Sequence, residues 1–379
     1  MHRTRSRVAT TLAVATLLLG TAASPLTAQS PGASEGAAPA NPTSVEGYGG
    51  LDALVEAAKA EGALNVIALD PTWANYAEVL ATFKAQYPEI TVTEDQPAAS
   101  SAEEITAVQN LAGTDAAPDV LDLGAAVAAA NTALFAPYMN AAWADIPDNV
   151  KEPTGLYVSD YTGYMSIGCD VGTVPLPATV ADLLKPEYAG MVALNGNPTQ
   201  AGSGFNGVVM AALANGGSAD DIAPGVAFFN QLAEAGNLLI VDPTPATIAS
   251  GETPCVIDWE YNNAAQTGIL AGQIDWQVVV PSDAPPVAAY YQQAINAAGP
   301  NPAAARLWQE YLYTPEAQNA WLRGFARPVL LDKMIADGTV DEEALGKLAE
   351  ASGEPVVLTQ DQVTAASAYL AENWDIPLP

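Results

Sequence analysis

Apolar runs and helix-periodic segments alternate along the first third of the chain. Residues 51–61 place apolar side chains at helical spacing up to Gly62, and the apolar run 63–69 follows as a strand. Two further strands, 90–95 and 118–124, each follow a helical segment. Strands that are apolar on both sides and alternate with helices are typical of a largely parallel sheet covered by helices. The pattern therefore predicts an α/β domain.

The middle of the chain repeats this alternation, and its end is mostly helical. Four more strands are predicted, over 163–172, 191–196, 255–259 and 275–281. Further helices are predicted over 125–135, 180–190, 206–215, 223–235, 303–313, 315–323, 345–351 and 360–373. The elements between about 175 and 273 therefore form a second α/β unit.

The first 28 residues have the pattern of an export signal. Three arginines precede an apolar core over 8–20 that is too short to span a membrane, and cleavage is expected near Ala23 or Ala28. Residues 29–50 are rich in Pro, Ser, Gly and Ala, which predicts a flexible leader. We therefore expect a periplasmic or extracellular protein that is not inserted in the membrane after the signal is removed.

Removal of the signal also limits the chemistry. His2 is the only histidine, so the mature chain lacks a Ser-His-Asp triad and any histidine metal site. The 12 basic residues, less the three signal arginines, leave nine against 43 acidic residues. This excess of negative charge disfavours nucleic acid as a partner and could attract a cationic solute, although most of these charges fit a solubilising acidic surface.

Cys169 and Cys255 are the two cysteines of the chain. Because exported proteins meet an oxidising environment, pairing in a disulfide is favoured, and two buried free thiols are the alternative.

Several segments resemble the extracytoplasmic solute-binding proteins of ABC importers, in the ferric-iron and polyamine-like branch of the type II periplasmic binding fold. They are PTWANYAEVLATFKAQYPEI, PDVLDLG, DLLKPEYAGMVALNGNPTQAGSGFNGV, VIDWEYNN and AARLWQEYLYTPEAQNAWLRGFARPV. The similarity runs from about Leu51 to Trp374, and it is specific for the family rather than for the ligand.

The resemblance implies an α/β protein of two lobes, with central mixed sheets flanked by helices and a ligand cleft between the lobes. The chain would cross between lobes near 167–175 and 273–281. Lobe 1 would then contain 51–166 and 282–379, and lobe 2 would contain 167–281. The resemblance also implies a monomeric carrier that delivers a small solute to permease subunits, needs no cofactor and is not an enzyme.

Ligands of open α/β sheets bind beyond the carboxyl ends of the strands, which selects the candidate site residues. The candidates are Asp70, Trp73, Gly124, Tyr161, Thr199, Gln200, Asp258, Trp259, Glu260, Tyr261 and Tyr291. Asp258 and Glu260 would face a bound cation, with Trp73 or Trp259 stacked on it. The best-supported solute is therefore a small cationic amine, polyamine-like. A polar strand end with Trp259 in the core is the alternative.

Other functions remain open at this point. The pair Tyr290–Tyr291 would suit ferric iron, although it falls after the second crossing. Arg323 and Arg327 could bind an anionic solute, such as a phosphonate, or form structural ion pairs. The two carboxylates of the DWE motif could serve a secreted hydrolase if they lay across a bond. The GSGFNG segment matches a dinucleotide fingerprint, but its long preceding loop and the exported location disfavour that interpretation.

Overall fold

The computed structural model describes residues 41–349 and 353–379; the predicted signal lies outside them. The strands are β1 (Ala63–Ile67), β2 (Thr91–Asp95), β3 (Val120–Gly124), β4 (Phe135–Ala136), β5 (Tyr157–Asp170), β6 (Val192–Leu194), β7 (Cys255–Trp259), β8 (Trp276–Val279), β9 (Ala288–Asn296) and β10 (Arg327–Pro328). No helix in the described part of the chain is long and apolar enough to cross a membrane.

Fourteen α-helices accompany these strands in the described ranges. They are α1 (Val45–Tyr48), α2 (Leu51–Glu61), α3 (Tyr76–Gln86), α4 (Ser101–Asn110), α5 (Ala125–Ala130), α6 (Gly202–Ala214), α7 (Ala223–Glu234), α8 (Pro245–Ala249), α9 (Glu260–Ile269), α10 (Pro302–Leu312), α11 (Pro315–Arg323), α12 (Leu331–Asp337), α13 (Glu342–Leu345) and α14 (Gln360–Asn373).

The strands form one mixed sheet with the order β2-β1-β3-β9-β5-β7-β6. Strands β1, β2 and β3 run parallel to one another, as do β6 and β7, whereas β9 and β5 run antiparallel to their neighbours. Strands β4, β8 and β10 pair beside this path. The parallel strands thus lie in two groups, separated by the antiparallel strands β9 and β5.

Strand β5, 14 residues long, joins two halves of the sheet. Its residues 157–164 pair with β9, and its residues 165–170 pair with β7 and β8. We call the part with β1, β2, β3 and β9 the first half, and the part with β6, β7 and β8 the second half. The pairing partner of β5 changes from β9 to β7 at Tyr164–Met165, shortly before the crossing expected near 167–175. The two halves are joined here by a continuous strand.

Local sequence signals explain most helix ends. Thr314 accepts a hydrogen bond from the amide of Ala317 at the start of α11, and Pro315 occupies the first helical position. Gly62 ends α2 with a left-handed φ of 71°.

Four predicted helices differ from the structure. The helix predicted over 125–135 ends at Ala130, and a 3-10 turn, Thr132–Leu134, follows it. Residues 180–190 form two 3-10 turns instead of one helix, because Pro186 holds Lys185 in extended conformation. Helix α6 begins at Gly202, four residues before the predicted start. Helix α13 ends at Leu345, and part of the helix predicted over 345–351 lies outside the described residues.

Residues 41–50, assigned to the flexible leader from their composition, pack against the body of the protein. They include α1, and the carbonyl of Thr43 accepts a hydrogen bond from the amide of Met139 at 2.8 Å. The guanidinium of Arg306 donates to the carbonyl of Pro42, also at 2.8 Å. Composition could not reveal this order because both partners are distant in the sequence. Residues 29–40 lie outside the described part.

A disulfide joins Cys169 of β5 to Cys255 of β7. The two residues are direct partners in the antiparallel pairing, with Cα atoms 4.2 Å apart, and both are fully buried. The bond therefore fastens the joining strand to the second half of the sheet.

Thiol titration of the unfolded, unreduced protein should find no free thiol, because both cysteines are paired. Reduction should lower the free energy of unfolding by up to about 4–5 kcal/mol, since the bond closes a span of 86 positions. Chemical denaturation with and without reductant measures this difference. Two titratable thiols in the unreduced protein would contradict the assignment.

Candidate ligand-binding cleft

A cavity of about 420 Å³ lies between the two halves of the sheet, at the carboxyl ends of β1, β3, β6 and β7. The first half contributes the loop 68–73 and Asp122, and the second half contributes the loop 195–203 and Asp258. This volume is in the range of small-molecule sites. The cavity therefore has the place and the size of a ligand site in an open α/β fold.

Carboxylates dominate the charge of this cavity. Six line it, and we call it the acidic cavity: Asp70, Glu103, Glu104, Asp122, Asp242 and Asp258. No lysine or arginine of the described chain joins them in the lining. Several like charges around a concave site create a strongly negative potential, which is complementary to a cation.

The loop after β1 holds Asp70 and Trp73 in place. The carboxylate of Asp70 accepts hydrogen bonds from the amide and the hydroxyl of Thr72, at 2.7 and 2.6 Å. Ala68 and Ala74 adopt left-handed φ angles of 61° and 44°. Such a conformation costs about 1–2 kcal/mol for a residue with a Cβ, so the surrounding packing must stabilise this loop.

Asp122, near the end of β3, is fixed by phenol groups on one side only. Its Oδ2 accepts hydrogen bonds from the hydroxyls of Tyr76 and Tyr161, at 2.7 and 3.0 Å. The indole of Trp73 in turn donates to the Tyr161 hydroxyl at 2.7 Å. The other oxygen, Oδ1, is buried without a hydrogen-bond partner among the described residues. Because this oxygen has almost no accessible surface, a ligand could contact it only if the surrounding side chains moved.

Asp258 faces the acidic cavity from the end of β7. Its Oδ1 accepts a hydrogen bond from the amide of Trp259 at 2.7 Å, and its Oδ2 accepts one from the side-chain amide of Asn262 at 3.1 Å. Asn262 and Gln266 lie four residues apart on α9, so both face the same side of that helix. Their side-chain carbonyl oxygens are buried and have no hydrogen-bond partner within the described ranges.

The unsatisfied groups of the cavity thus share one chemical character. Asp122 Oδ1, Asn262 Oδ1 and Gln266 Oε1 are all hydrogen-bond acceptors. A buried acceptor without a partner costs about 1–3 kcal/mol. A ligand that donates N–H groups and carries positive charge would satisfy these atoms.

Burial shifts the ionisation of these carboxyl groups. It raises the pKa of Asp258 to about 7 and the pKa of Asp122 to about 7. Burial, together with the charge of Asp122, raises the pKa of Glu104 well above its ordinary value. A positive charge nearby would favour the ionised forms and lower these pKa values. Binding of a cation in the acidic cavity is therefore linked to loss of protons from these carboxyl groups.

Glu260 lies elsewhere, which corrects the prediction that it faces a cation. It is the first residue of α9 rather than a continuation of β7, so it does not point the same way as Asp258. Its carboxylate forms an ion pair with Arg327 and accepts a hydrogen bond from the amide of Tyr164. The Arg327 guanidinium also lies 4.0 Å from the centre of the Tyr164 ring. Glu260 therefore fastens α9 to β5 and β10.

The predicted aromatic residues divide between the cavity and the core. Trp73 and Tyr291 line the acidic cavity, with ring centres 5.5 Å apart. Trp259 is fully buried and stacks on Tyr261, so its predicted contact with the ligand is corrected to a core position. Tyr161 and Tyr261 are also buried and contribute no surface to the cavity.

The remaining predicted residues lie on the loop before α6 or opposite it. Thr199 hydrogen-bonds to the side chain of Asn197, and Gln200 is exposed and lines the acidic cavity. Gly124 abuts Gly202 of the second half: a Cβ on Gly124 would lie 3.1 Å from the Cα of Gly202. The two halves are therefore in backbone contact, and a side chain at position 124 would hold them apart.

Sequence reasoning missed Glu103, Glu104, Asp122, Asp242 and Gln266. Asp122 carried a signal, since it is the polar residue within an otherwise apolar buried strand, VLDLG. Glu104 carried another, because it lies on the buried face of α4 beside Ile105. Asp242 and Gln266 had no comparable local signal.

The geometry gives no support to the metal alternative. The described residues contain no cluster of three or more His, Cys, Asp or Glu side chains that could hold a metal ion. Tyr290 and Tyr291 are successive residues of β9 and point to opposite faces of the sheet, so they cannot chelate one ion together.

Comparison with known proteins identifies the class. Residues 119–346 match the family described as bacterial extracellular solute-binding protein. The match covers more than half of the chain, and the protein belongs to this family. Membership implies a location outside the cytoplasm. The sequence resemblance to the solute-binding proteins of ABC transporters, and the α/β fold that it implied, are thereby confirmed.

Solved structures show the same two-lobed fold. The A. tumefaciens B6 binding protein MotA, in complex with glucopine, has 18% identity and a TM-score of 0.65, covering 82% of this chain and 98% of that one. AgtB of A. tumefaciens R10, with agropinic acid, has 15% identity and a TM-score of 0.62, covering 82% and 96%. Iron-bound HitA of Pseudomonas aeruginosa has 14% identity and a TM-score of 0.58, covering 82% and 97%. No curated protein sequence matches significantly.

The Glu260→Gln variant should lower the free energy of unfolding by about 3–5 kcal/mol, because Arg327 would remain buried without its partner. Chemical denaturation measures the loss. Glu343→Gln is the matched control: its ion pair with Lys347 is exposed and should contribute less than about 1 kcal/mol. If Glu260→Gln lowers the free energy of unfolding no more than Glu343→Gln does, the ion pair of Glu260 has no structural role.

Proposed function

We propose that this protein is the solute-binding component of an ABC importer and that its solute is a small cationic amine. One observation carries the choice of a cation: six carboxylates line the cavity, and no lysine or arginine of the described chain lines it with them. Three buried acceptor oxygens beside the cavity, on Asp122, Asn262 and Gln266, lack donors, and an occupant that reached them would have to supply N–H groups. An ammonium group supplies both the positive charge and the donors.

The amine would bridge the two halves of the sheet. Asp122 lines the cavity from the first half, and Asp258 lines it from the second. Trp73 and Tyr291 offer aromatic faces, and a cation over such a face gains about 0.5–2 kcal/mol. Without a cation the carboxylates of the two halves repel each other, so binding would favour the closed cleft.

The rest of the carrier assignment follows the family. The first 28 residues are proposed as the export signal, and permease subunits as the receiver of the solute. We place the lobe boundaries at the change of pairing within β5 and at the connection 280–287 between β8 and β9. The C-terminal residues 374–379 then contact lobe 2, because the ring of Trp374 packs on Phe229.

The alternatives receive less support. An anionic solute such as a phosphonate would meet six carboxylates, and both candidate arginines are paired: Arg323 with Glu78 and Asp341, and Arg327 with Glu260. The hydrolase alternative relied on the two carboxylates of the DWE motif, and this pair cannot flank one bond because Glu260 lies outside the cavity lining. We therefore propose a carrier rather than an enzyme.

Asp258→Asn should weaken the binding of amines such as putrescine at least tenfold at pH 8. Removal of one charge from a buried pair typically costs about 2–5 kcal/mol. Calorimetric titration measures the dissociation constant, and thermal unfolding of the empty variant checks its fold. Because ionised Asp258 is buried without a counter-cation, the variant should be no less stable than the wild type at this pH.

Asp275→Asn is the control, because it removes the same charge from an exposed position outside the cavity. It should leave the affinity unchanged within about twofold, since exposed charges are well screened. If a panel of di- and polyamines gives no heat with the wild type, while a ferric complex or a phosphonate binds, the proposal of a cationic solute is wrong.

A further inference from the structure

Buried and exposed residues alternate in the segment 374–379, which follows α14 and has the sequence WDIPLP. Ile376 and Leu378 are buried, with 8% and 6% of their surface exposed, whereas the residues between and after them are exposed. This alternation is typical of an extended chain that has one side against the protein and the other toward solvent. We call residues 374–379 the C-terminal segment.

The C-terminal segment packs on the part of the protein that contains α7 and the loop 195–203. The ring centre of Trp374 lies 5.6 Å from that of Phe229 on α7. The side-chain amide of Asn197 donates a hydrogen bond to the carbonyl of Leu378 at 3.2 Å. Because Asn197 lines the acidic cavity, this bond holds the segment directly beside the cavity.

The end of the C-terminal segment reaches the acidic cavity itself. Pro379 lines the cavity and is nevertheless exposed to solvent. It therefore lies at the opening of the cavity rather than in its interior. The anchored side chains of Ile376 and Leu378 determine where Pro379 sits, because they precede it directly in the same extended stretch.

The attachment of this segment is limited. In the described part of the chain, the bond from Asn197 is the one hydrogen bond that joins it to a residue outside α14. The amide of Leu378 bonds within the segment, to the carbonyl of Ile376 at 2.9 Å. Stretches held by a few side chains and few hydrogen bonds open locally at a lower free energy than the whole fold. The segment can therefore detach while the sheet stays intact.

We propose that the C-terminal segment is a cover at the opening of the acidic cavity, and that it leaves the loop 195–203 when a solute enters or departs. Ile376 and Leu378 anchor the cover, and Pro379 is the part that a passing solute meets. This inference rests on the proposed function only in taking the acidic cavity as the solute site. It holds for a solute of any charge.

Access of a thiol reagent to the cavity tests this proposal without any solute. Asn195→Cys places a thiol at a half-buried position of the cavity lining, and mass spectrometry measures its rate of labelling by methanethiosulfonate ethylammonium. Addition of Leu378→Asp should raise this rate at least fivefold, because a carboxylate at that buried position detaches the cover. A chain shortened to end at Trp374 should show the same rise.

Two controls separate opening of the cavity from a general loosening of the protein. Asp375→Ala, at an exposed position of the same segment, should leave the labelling rate unchanged within twofold. Thr106→Cys places the thiol at an exposed position outside the cavity, where Leu378→Asp should not change its labelling. Thermal unfolding confirms that each variant is folded.

A rise of less than fivefold in the folded variants would overturn the cover, and so would an equal rise at the Thr106→Cys position. The outcome of amine titration is separate from this test. If putrescine does not bind the wild type, the cationic solute is wrong, whereas the labelling rates still decide whether the C-terminal segment covers the cavity.

Discussion

The pairing of one long strand, β5, with both halves of the sheet is the constraint on which the rest depends. Its first part is held by β9 and its second part by β7 and β8, and the disulfide between Cys169 and Cys255 fastens the second part. Strands β1 and β3 of the first half, and β6 and β7 of the second half, end toward the cleft. Because β5 joins the two halves, it determines how the loops that follow these four strands meet. The cavity exists because those loops face each other across β5.

Electrostatics then gives this cavity its chemistry. Glu260 and Arg327 show how a buried charge is compensated by an ion pair. In the acidic cavity Asp122 and Asp258 are buried with no cationic partner, and their pKa values rise to about 7. A protein that only needed stability would do better with apolar side chains at these positions, because uncompensated buried carboxylates are unfavourable. Their presence is explained if a cation from outside completes the site.

The order of elements follows from local pattern, whereas the site depends on single-residue details of pairing. The run CVIDW predicted β7 with its observed ends, and the helix predicted over 303–313 is α10 within one residue at each end. The role of Glu260 could not be predicted, because it depends on whether that residue extends β7 or opens α9, and on Arg327, which is 67 positions away. The position of Asp122 beside the cavity depends on the register in which β3 pairs with β9. Local sequence does not encode that register.

The number of protons released when an amine binds tests the central claim most directly. Titration of the protein with putrescine at pH 7, in phosphate and in a zwitterionic buffer of different ionisation enthalpy, measures this number. Asp258, with a pKa of about 7, is partly protonated in the empty protein at this pH, and burial also raises the pKa of Asp122. A neighbouring ammonium ion lowers both pKa values. We therefore expect net proton release at pH 7 and less release at pH 8, where Asp258 is mostly ionised before the amine binds. Binding without proton release at pH 7, or with proton uptake, would contradict an amine held by these carboxylates.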